Sequence, residues 1–334
     1  MRVTGLVERV DHVCCRYRLA AFRPWLEQAG FQLELRPLFR HWSDRFHLGR
    51  SLRHADAVIW QRKLLPWWQL RQLRRGVRRL LFDFDDAVFL RDSYASKGLH
   101  SARRQGRFAA VVRAADAVVA GNAFLATQAA SWSRTGQVQV IPTCVDPGQY
   151  PLAEHVRKGP GVELVWIGSA STLRGLEAIR PILEEVGRRH PGVCLKLVCD
   201  RFLRLQHLPV RECVWSEAGE ALALAAADIG ISWVPEDLWS RGKCGLKILQ
   251  YFAAGLPVVA NPVGVQAEMV RHGETGFLAR TPEQWVEAVG RLAHDPDLRR
   301  RLGQAGRKLV ESQYSPAVGA AQWITLLEGM RDEG

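Results

Sequence analysis

Two turns in the second half of this 334-residue chain have the composition of anion seats. Gly168-Ser169-Ala170-Ser171-Thr172 follows an apolar run ending at Ile167, and Arg174 comes just after it. Small residues let backbone N–H groups approach a ligand and the arginine adds charge, although the same residues also make an ordinary turn. The second turn, Ser240 to Gly245, contains Arg241 and Lys243 and opens a helix with Lys247, Gln250 and Tyr251 on adjoining turns. As bare composition this could equally be a helix with solvated lysines. Where such turns follow parallel strands, helix N-termini present unpaired N–H groups and partial positive charge, and a diphosphate is the guest that fits.

The first half carries different chemistry. Phe82-Asp83-Phe84-Asp85-Asp86 closes a strand and contains Asp-x-Asp, a spacing at which oxygens hold a divalent ion. The competing reading, preferred because the nucleotide features lie far downstream, gives Asp85 or Asp86 a structural place or a hydrogen bond to an acceptor hydroxyl, with no metal. His12, Arg16 and Arg18 follow the first strand, where a ligand-facing basic cluster and plain helix-surface arginines are both reasonable. In the segment 66–79, Trp67, Leu70, Leu73 and Val77 alternate with Arg71, Arg74, Arg75, Arg78 and Arg79. Such a helix could lie on an anionic bilayer, or pack its stripe on a sheet with wet arginines outside.

These residues need elements to hold them. Short β-branched runs alternate with longer amphipathic stretches along the whole chain, the pattern of parallel strands joined by crossover helices. The expected strands are 2–6, 31–35, 57–60, 79–82, 117–119 and 138–141, then 162–167, 194–198, 228–232 and 258–260. Helices are expected at 16–29, 66–75, 100–114, 123–132, 173–189, 217–226, 244–254 and 265–272. A Pro/Gly cluster between Pro147 and Gly161 interrupts the pattern. The expected domains are 1–150, 151–314 and a terminal helix 315–334 that packs back on the first. Two doubly wound α/β sheets facing each other across a cleft follow from this. Asp295-Pro296 and Ser315-Pro316 are helix-start signals.

Composition narrows the partners. The formal charge is +12, and the first 150 residues hold 24 Lys+Arg against 12 Asp+Glu, so the whole excess lies there. That half is expected to meet something anionic, such as a membrane surface or lipid phosphate, or else to be a solvated basic face. Nucleic acid is not expected, because no recognised binding motif accompanies the charge. Seven cysteines without a Cys-x-x-Cys offer neither a disulfide framework nor a zinc site, which fits a reducing cytoplasm. No run reads as a signal peptide or a membrane span.

The stretch from Ser240 to Val259 resembles the donor site of retaining glycosyltransferases of family 4, matching at Lys247, Tyr251, Ala253, Gly255, Pro257, Val258 and Val259. The run from Pro262 to Leu278, with Gly264, Val265 and Glu268, resembles the loop that follows in that family. Upstream, Val140 to Asp146 and Ala115 to Asn122 resemble its weaker acceptor-domain signals. The resemblance implies a GT-B fold of two Rossmann-like domains and sugar transfer, with retention, from a nucleoside diphosphate donor to a lipid-linked or glycan acceptor. Together with the cysteine usage and the basic first half, the expected setting is a cytoplasmic protein, peripheral on the inner membrane face, with no cofactor beyond the donor substrate. Arg174, Lys243 and Lys247 would then take up the charge of the leaving diphosphate. Gly168, Ser169, Ser171, Thr172, Gly245, Gln250, Tyr251, Gly264, Val265 and Glu268 would line the donor, and His12, Arg16, Arg18, Asp85 and Asp86 the acceptor. Two departures stand out: many relatives place glutamates where this chain has Gly242 and Gln250. Glutamine can still hydrogen-bond a ribose. Glycine cannot replace a sugar contact, which keeps a weak or inactive partner subunit as the alternative.

Overall fold

The computed structural model of the protein describes residues 1–38, 52–155 and 161–332. Gly159 and Pro160 of the expected linker lie outside them. The chain divides into two compact units, the first made of Met1–Cys144, Asp237–Cys244 and Pro316–Gly334, the second of Val145–Glu236 and Gly245–Ser315. The sequence boundary at 150 is thus drawn by compactness at 144, and an eight-residue piece from the middle of the second half joins the first unit.

The first unit is built on a parallel sheet of β1 (Arg2–Val7), β2 (Gln32–Pro37), β3 (Ala57–Gln61), β4 (Leu80–Phe84), β5 (Ala117–Ala120) and β6 (Val138–Val140), in the order β2-β1-β3-β4-β5-β6. β3, β4 and β5 are buried throughout, as apolar runs covered on two faces must be. One face packs on α3 (Trp67–Gly76), α4 (Ala102–Ala114) and α5 (Ala123–Ala130), through Leu70, Leu73, Phe108, Val111 and Leu125. The other packs on α1 (Val13–Arg18), α2 (Arg23–Gln28) and the terminal helix α14 (Pro316–Asp332), whose Ala320, Trp323 and Leu327 join Phe22 and Leu26.

The second unit repeats the plan. Its strands are β7 (Val162–Ile167), β8 (Val193–Cys199), β9 (Val210–Val214), β10 (Ile229–Ser232), β11 (Val258–Ala260) and β12 (Gly276–Leu278), in the order β12-β11-β10-β7-β8-β9, all parallel. α6 (Ala170–Ala178), α7 (Arg180–Arg189) and α12 (Pro282–His294) cover one face through Leu173, Leu183, Trp285 and Leu292. α8 (Glu220–Ala225), α10 (Leu246–Ala253), α11 (Gln266–Met269) and α13 (Pro296–Gln313) complete the unit, while α9 (Leu238–Arg241) belongs to the first.

Local chemistry explains where elements start and break. Thr281 and Gln284 form a reciprocal capping box before α12, and Asp295 accepts from Leu298 N at 2.8 Å to start α13 with Pro296 behind it. The helix expected over 173–189 is two helices, because Pro181 stands in the first turn of α7 and its ring cannot continue α6. Pro24 divides the expected 16–29 helix in the same way, with a 3₁₀ turn at Ala20–Phe22 between α1 and α2.

Candidate functional site

In the second unit the turns beyond the carboxyl ends of β7, β10 and β11 are knitted by side chains. Asn261 Oδ1 accepts from Val234 N at 3.0 Å while its amide donates to Val234 O at 2.7 Å, and Gln266 Nε2 donates to Asn261 O and Oδ1, each at 2.9 Å. Ser232 Oγ donates to Gln266 Oε1, so the ends of β10 and β11 are tied together. Tyr251, fully buried on α10, receives Ile167 N at 3.1 Å and donates to Ile231 O at 3.2 Å, which ties β7 to β10. The tyrosine hydroxyl is therefore consumed by backbone; Tyr251 is a strut behind the site and not a donor contact as the sequence reading had it.

The start of α10 enters this framework closely. Gly245 caps the helix with φ of 69°, and a Cβ there would lie 2.6 Å from Met269 Sδ and 3.1 Å from Val265 Cγ2. Val265 is buried in that contact, Gly264 makes the turn before it, and Glu268 is exposed on α11. In the first turn of α10, Lys247 Nζ lies 3.9 Å from the centroid of the Trp166 ring. Gly168 rests against that same indole so tightly that any Cβ would overlap it. The 168–172 turn, the head of α10 and the Val265 segment thus meet within one unit.

The first turn spends part of its own donor capacity. Ser169 caps α6 in a box with Thr172, Ser169 Oγ lies 2.9 Å from Ser171 Oγ, and Ala170 N donates to Asp200 at 2.7 Å. The Cys199 thiol and the Ala170 N–H hold the Asp200 carboxyl below the usual carboxylate range. Arg174 stands exposed on the second turn of α6. Gln250 departs from expectation: it is buried, with Nε2 donating to Tyr150 Oη at 3.2 Å, and Tyr150 in turn donates to Glu220 at 3.4 Å. It serves an interior network, because its place on α10 turns it away from the solvent-facing head of the helix.

In the first unit the carboxylates at the end of β4 and just beyond it are all met by cations. Arg18 and Asp83 form an ion pair with side chains 1% and 0% exposed, joined by Gln61 Nε2 at 3.2 Å from Asp83 Oδ2. Arg62 reaches Asp85 at 3.3 Å and Asp86 at 2.5 Å, and Lys243 Nζ reaches Asp86 at 2.8 Å. Burial alone would raise the Asp85 pKa, but the guanidiniums of Arg62 and Arg18, with Lys243, outweigh it and hold the carboxyl low. Arg62 adopts left-handed backbone, φ 57°, a conformation that costs a non-glycine residue about 1–2 kcal/mol.

Three expectations change here. Arg18 is interior and cannot meet an acceptor; Asp86 and Lys243 neutralise each other instead of facing a sugar hydroxyl and a diphosphate. Among the described residues no group of three or more His, Cys, Asp or Glu is arranged to hold a metal ion. His12 accepts from Cys14 N at 3.2 Å as the cap of α1, and Arg16 lies 4.7 Å over the Tyr17 ring.

The 237–244 segment is seated in the first unit through four contacts. Asn122 Nδ2 donates to the carbonyls of Arg241 and Lys243 at 3.3 and 3.0 Å, Cys244 Sγ donates to Asp85 O at 3.2 Å, and Lys243 binds Asp86. The fourth explains Gly242: a Cβ there would sit 2.7 Å from the Ala87 backbone nitrogen. No side chain fits, so the glutamate of the family pattern is sterically excluded.

Sequence reasoning missed Trp166 and the Arg62 hub. An aromatic residue immediately before a glycine turn at a strand end was the available signal for the first. Nothing in the sequence marks Arg62.

On the α3 helix, Leu70 and Leu73 are buried while Trp67 is 70% exposed beside exposed Arg71 and Arg75. No helix among the described residues is long and apolar enough to cross a membrane.

Comparison with known proteins follows the same geography. The family described as glycosyl transferases group 1 matches residues 237–309. The D-inositol 3-phosphate glycosyltransferase of Nocardia farcinica is 28% identical over 225 residues, covering 58% of this chain and 48% of that protein. The chain spans less than half the length of the curated relatives it matches. Among solved structures, sucrose-phosphate synthase from Thermosynechococcus elongatus superposes with a TM-score of 0.73 at 16% identity, covering 100% of each chain. Anabaena HepE in complex with UDP-glucose gives 0.68 at 16% identity, over 98% of this chain and 100% of that one. The fold is that of GT-B proteins, two Rossmann-like domains in tandem.

Proposed function

We propose that the protein is a glycosyltransferase whose nucleoside diphosphate sugar binds at the carboxyl edge of the second sheet. The sugar passes, with retention as in family 4, to a lipid-linked or surface-glycan hydroxyl. The observation that carries this reading is the meeting of the Gly168 turn, the head of α10 with Lys247, and Val265 in one place, where helix N-termini and a cation favour a diphosphate. The group 1 match over residues 237–309, which hold Lys247 and Val265, and the UDP-glucose complex of a structural neighbour support it. Lys247 and Arg174 would meet the charge that builds on the leaving diphosphate, and the donor is a substrate, so no separate cofactor or metal is invoked. The basic first unit, with exposed Trp67, Arg71 and Arg75 on α3, supports a cytoplasmic protein resting on an anionic membrane face, where a lipid-linked acceptor would be met.

A thermal-shift screen across nucleoside diphosphate sugars tests the donor. A matching donor raises the melting temperature increasingly with its concentration above Kd, and donor turnover disappears in Lys247→Ala. A protein that responds to none of them, and hydrolyses none, is instead the binding or partner subunit that Gly242 keeps in view.

A further inference from the structure

Trp166 is next to last in β7, and its indole is 1% exposed. A tryptophan that deep ordinarily serves as core, and this one does pack in the cluster with Leu164 and Leu173. Two of its neighbours are not explained by core packing. Lys247 Nζ stands 3.9 Å from the ring centroid, and the Gly168 backbone is pressed against the ring. An ammonium is drawn to a tryptophan face by the ring quadrupole, and the contact limits the wandering of a long, flexible stem.

We propose that Trp166 is a positioning residue for diphosphate recognition: its π face holds the Lys247 ammonium at the 168–172 turn, pre-ordered for the phosphates of a nucleoside diphosphate. The proposal rests on the donor-site reading above. The choice of an aromatic partner has a physical reason. A carboxylate in this place would orient the lysine equally well, but it would cancel the positive charge and repel an incoming diphosphate, as Asp86 does for Lys243 in the first unit. A ring orients the ammonium without bringing a negative charge of its own. It also explains Gly168, since any larger residue would push the ring from under the lysine.

A double-mutant cycle on the full chain tests this by isothermal titration with UDP and GDP and with uridine and guanosine. The native protein is expected to bind one diphosphate more tightly than its nucleoside. Trp166→Leu should weaken that diphosphate by about 5- to 10-fold and leave the nucleoside within about 2-fold, and Trp166→Phe, which keeps a π face, should recover most of the loss. In a Lys247→Met background Trp166→Leu should cost less than about 2-fold, because the residue it positions is gone. Should Trp166→Leu melt early, the Trp166→Phe and Lys247→Met pair reads the same coupling on a smaller scale. Equal losses for diphosphate and nucleoside, or an undiminished loss in the Lys247→Met background, overturn the proposal. Tight diphosphate binding indifferent to Trp166 sinks this inference alone; a native protein that binds neither diphosphate sinks the donor site as well.

Discussion

Lys243 and Lys247 stand one turn apart in sequence and each lies over an indole, Trp239 at 4.7 Å and Trp166 at 3.9 Å, yet Lys243 also meets a carboxylate. Lys243 ends on Asp86, inside a lattice where Arg18 and Arg62 answer Asp83, Asp85 and Asp86. Lys247 has the Trp166 ring beneath its ammonium. The first arrangement consumes charge to hold backbone: the carboxylates pin a segment whose carbonyls are already held by Asn122. The second keeps a cation oriented. A basic residue near a ligand loop is thus not by itself a ligand residue; what its terminal nitrogen faces decides which of the two tasks it performs.

The contrast breaks most sharply at Asp83. Its removal as Asp83→Ala leaves Arg18 charged at 1% exposure without its direct ion-pair partner, and stripping one partner from a buried pair typically costs about 3–5 kcal/mol. Chemical denaturation of the full chain should show the first unit unfolding far earlier than in the native protein. A midpoint that hardly moves would mean the lattice is not what holds this strand end.

Next in size is the pair of lysines themselves. Lys247→Met should lower sugar transfer by about 100- to 1000-fold, the scale for losing a fixed charge at a developing anion, with little change in melting temperature. Lys243→Met should do the reverse, with a transfer loss under about 10-fold and a lowered melting point, since its pair with Asp86 is partly buried. Matched rate losses in the two variants would erase the distinction drawn between them.

Gly242 sharpens the point from the other side. Restoring the family pattern with Gly242→Glu should destabilise the protein by about 1–3 kcal/mol through overpacking against Ala87, and should not raise transfer. A more active and equally stable Gly242→Glu protein would show that the segment can leave its seat.

Much of this fold was readable in advance because parallel strands buried on two faces must be apolar runs, and β3, β4, β7 and β10 are such runs. β9 was missed because it is an exposed edge strand in which Arg211 and Glu212 break the apolar signal, and β12 because Gly276–Leu278 is too short to show a period. The loops at the candidate site were legible from glycine and serine at strand ends. The direction of each side chain was not. Gln250 and Tyr251 follow Lys247 on one helix, yet they face Tyr150 and the strand backbone while the lysine faces Trp166. That sorting depends on residues distant in sequence, and only the packed helix reveals it. The same holds for Asp85 and Asp86, whose role is set by Arg62 in a left-handed conformation that no local pattern announces.

The smallest expected effect contrasts the two ends of the second sheet. Its carboxyl edge presents an oriented cation, whereas near its amino edge His155 is kept uncharged. The ring is 4% exposed, Nε2 lies 2.8 Å from Gly255 O and so donates to it, and Nδ1 has no hydrogen-bond partner among the described residues. Burial pulls its pKa below the ordinary imidazole value; the Gly255 carbonyl and Asp228 work against that, and Arg299 and Arg300 add to it. The folded protein therefore binds fewer protons here than the unfolded chain. Stability contributed by this neutral histidine is complete above the unfolded value of about 6.5 and is lost as pH falls below it, with a limiting slope of about 1.4 kcal/mol per pH unit. Melting temperatures at pH 7.5 and 5.5 should diverge more for the native protein than for His155→Gln, because glutamine can donate the same hydrogen bond without titrating. An identical pH dependence in the two proteins would place the acid-sensitive group elsewhere and mean that folding does not shift the His155 titration.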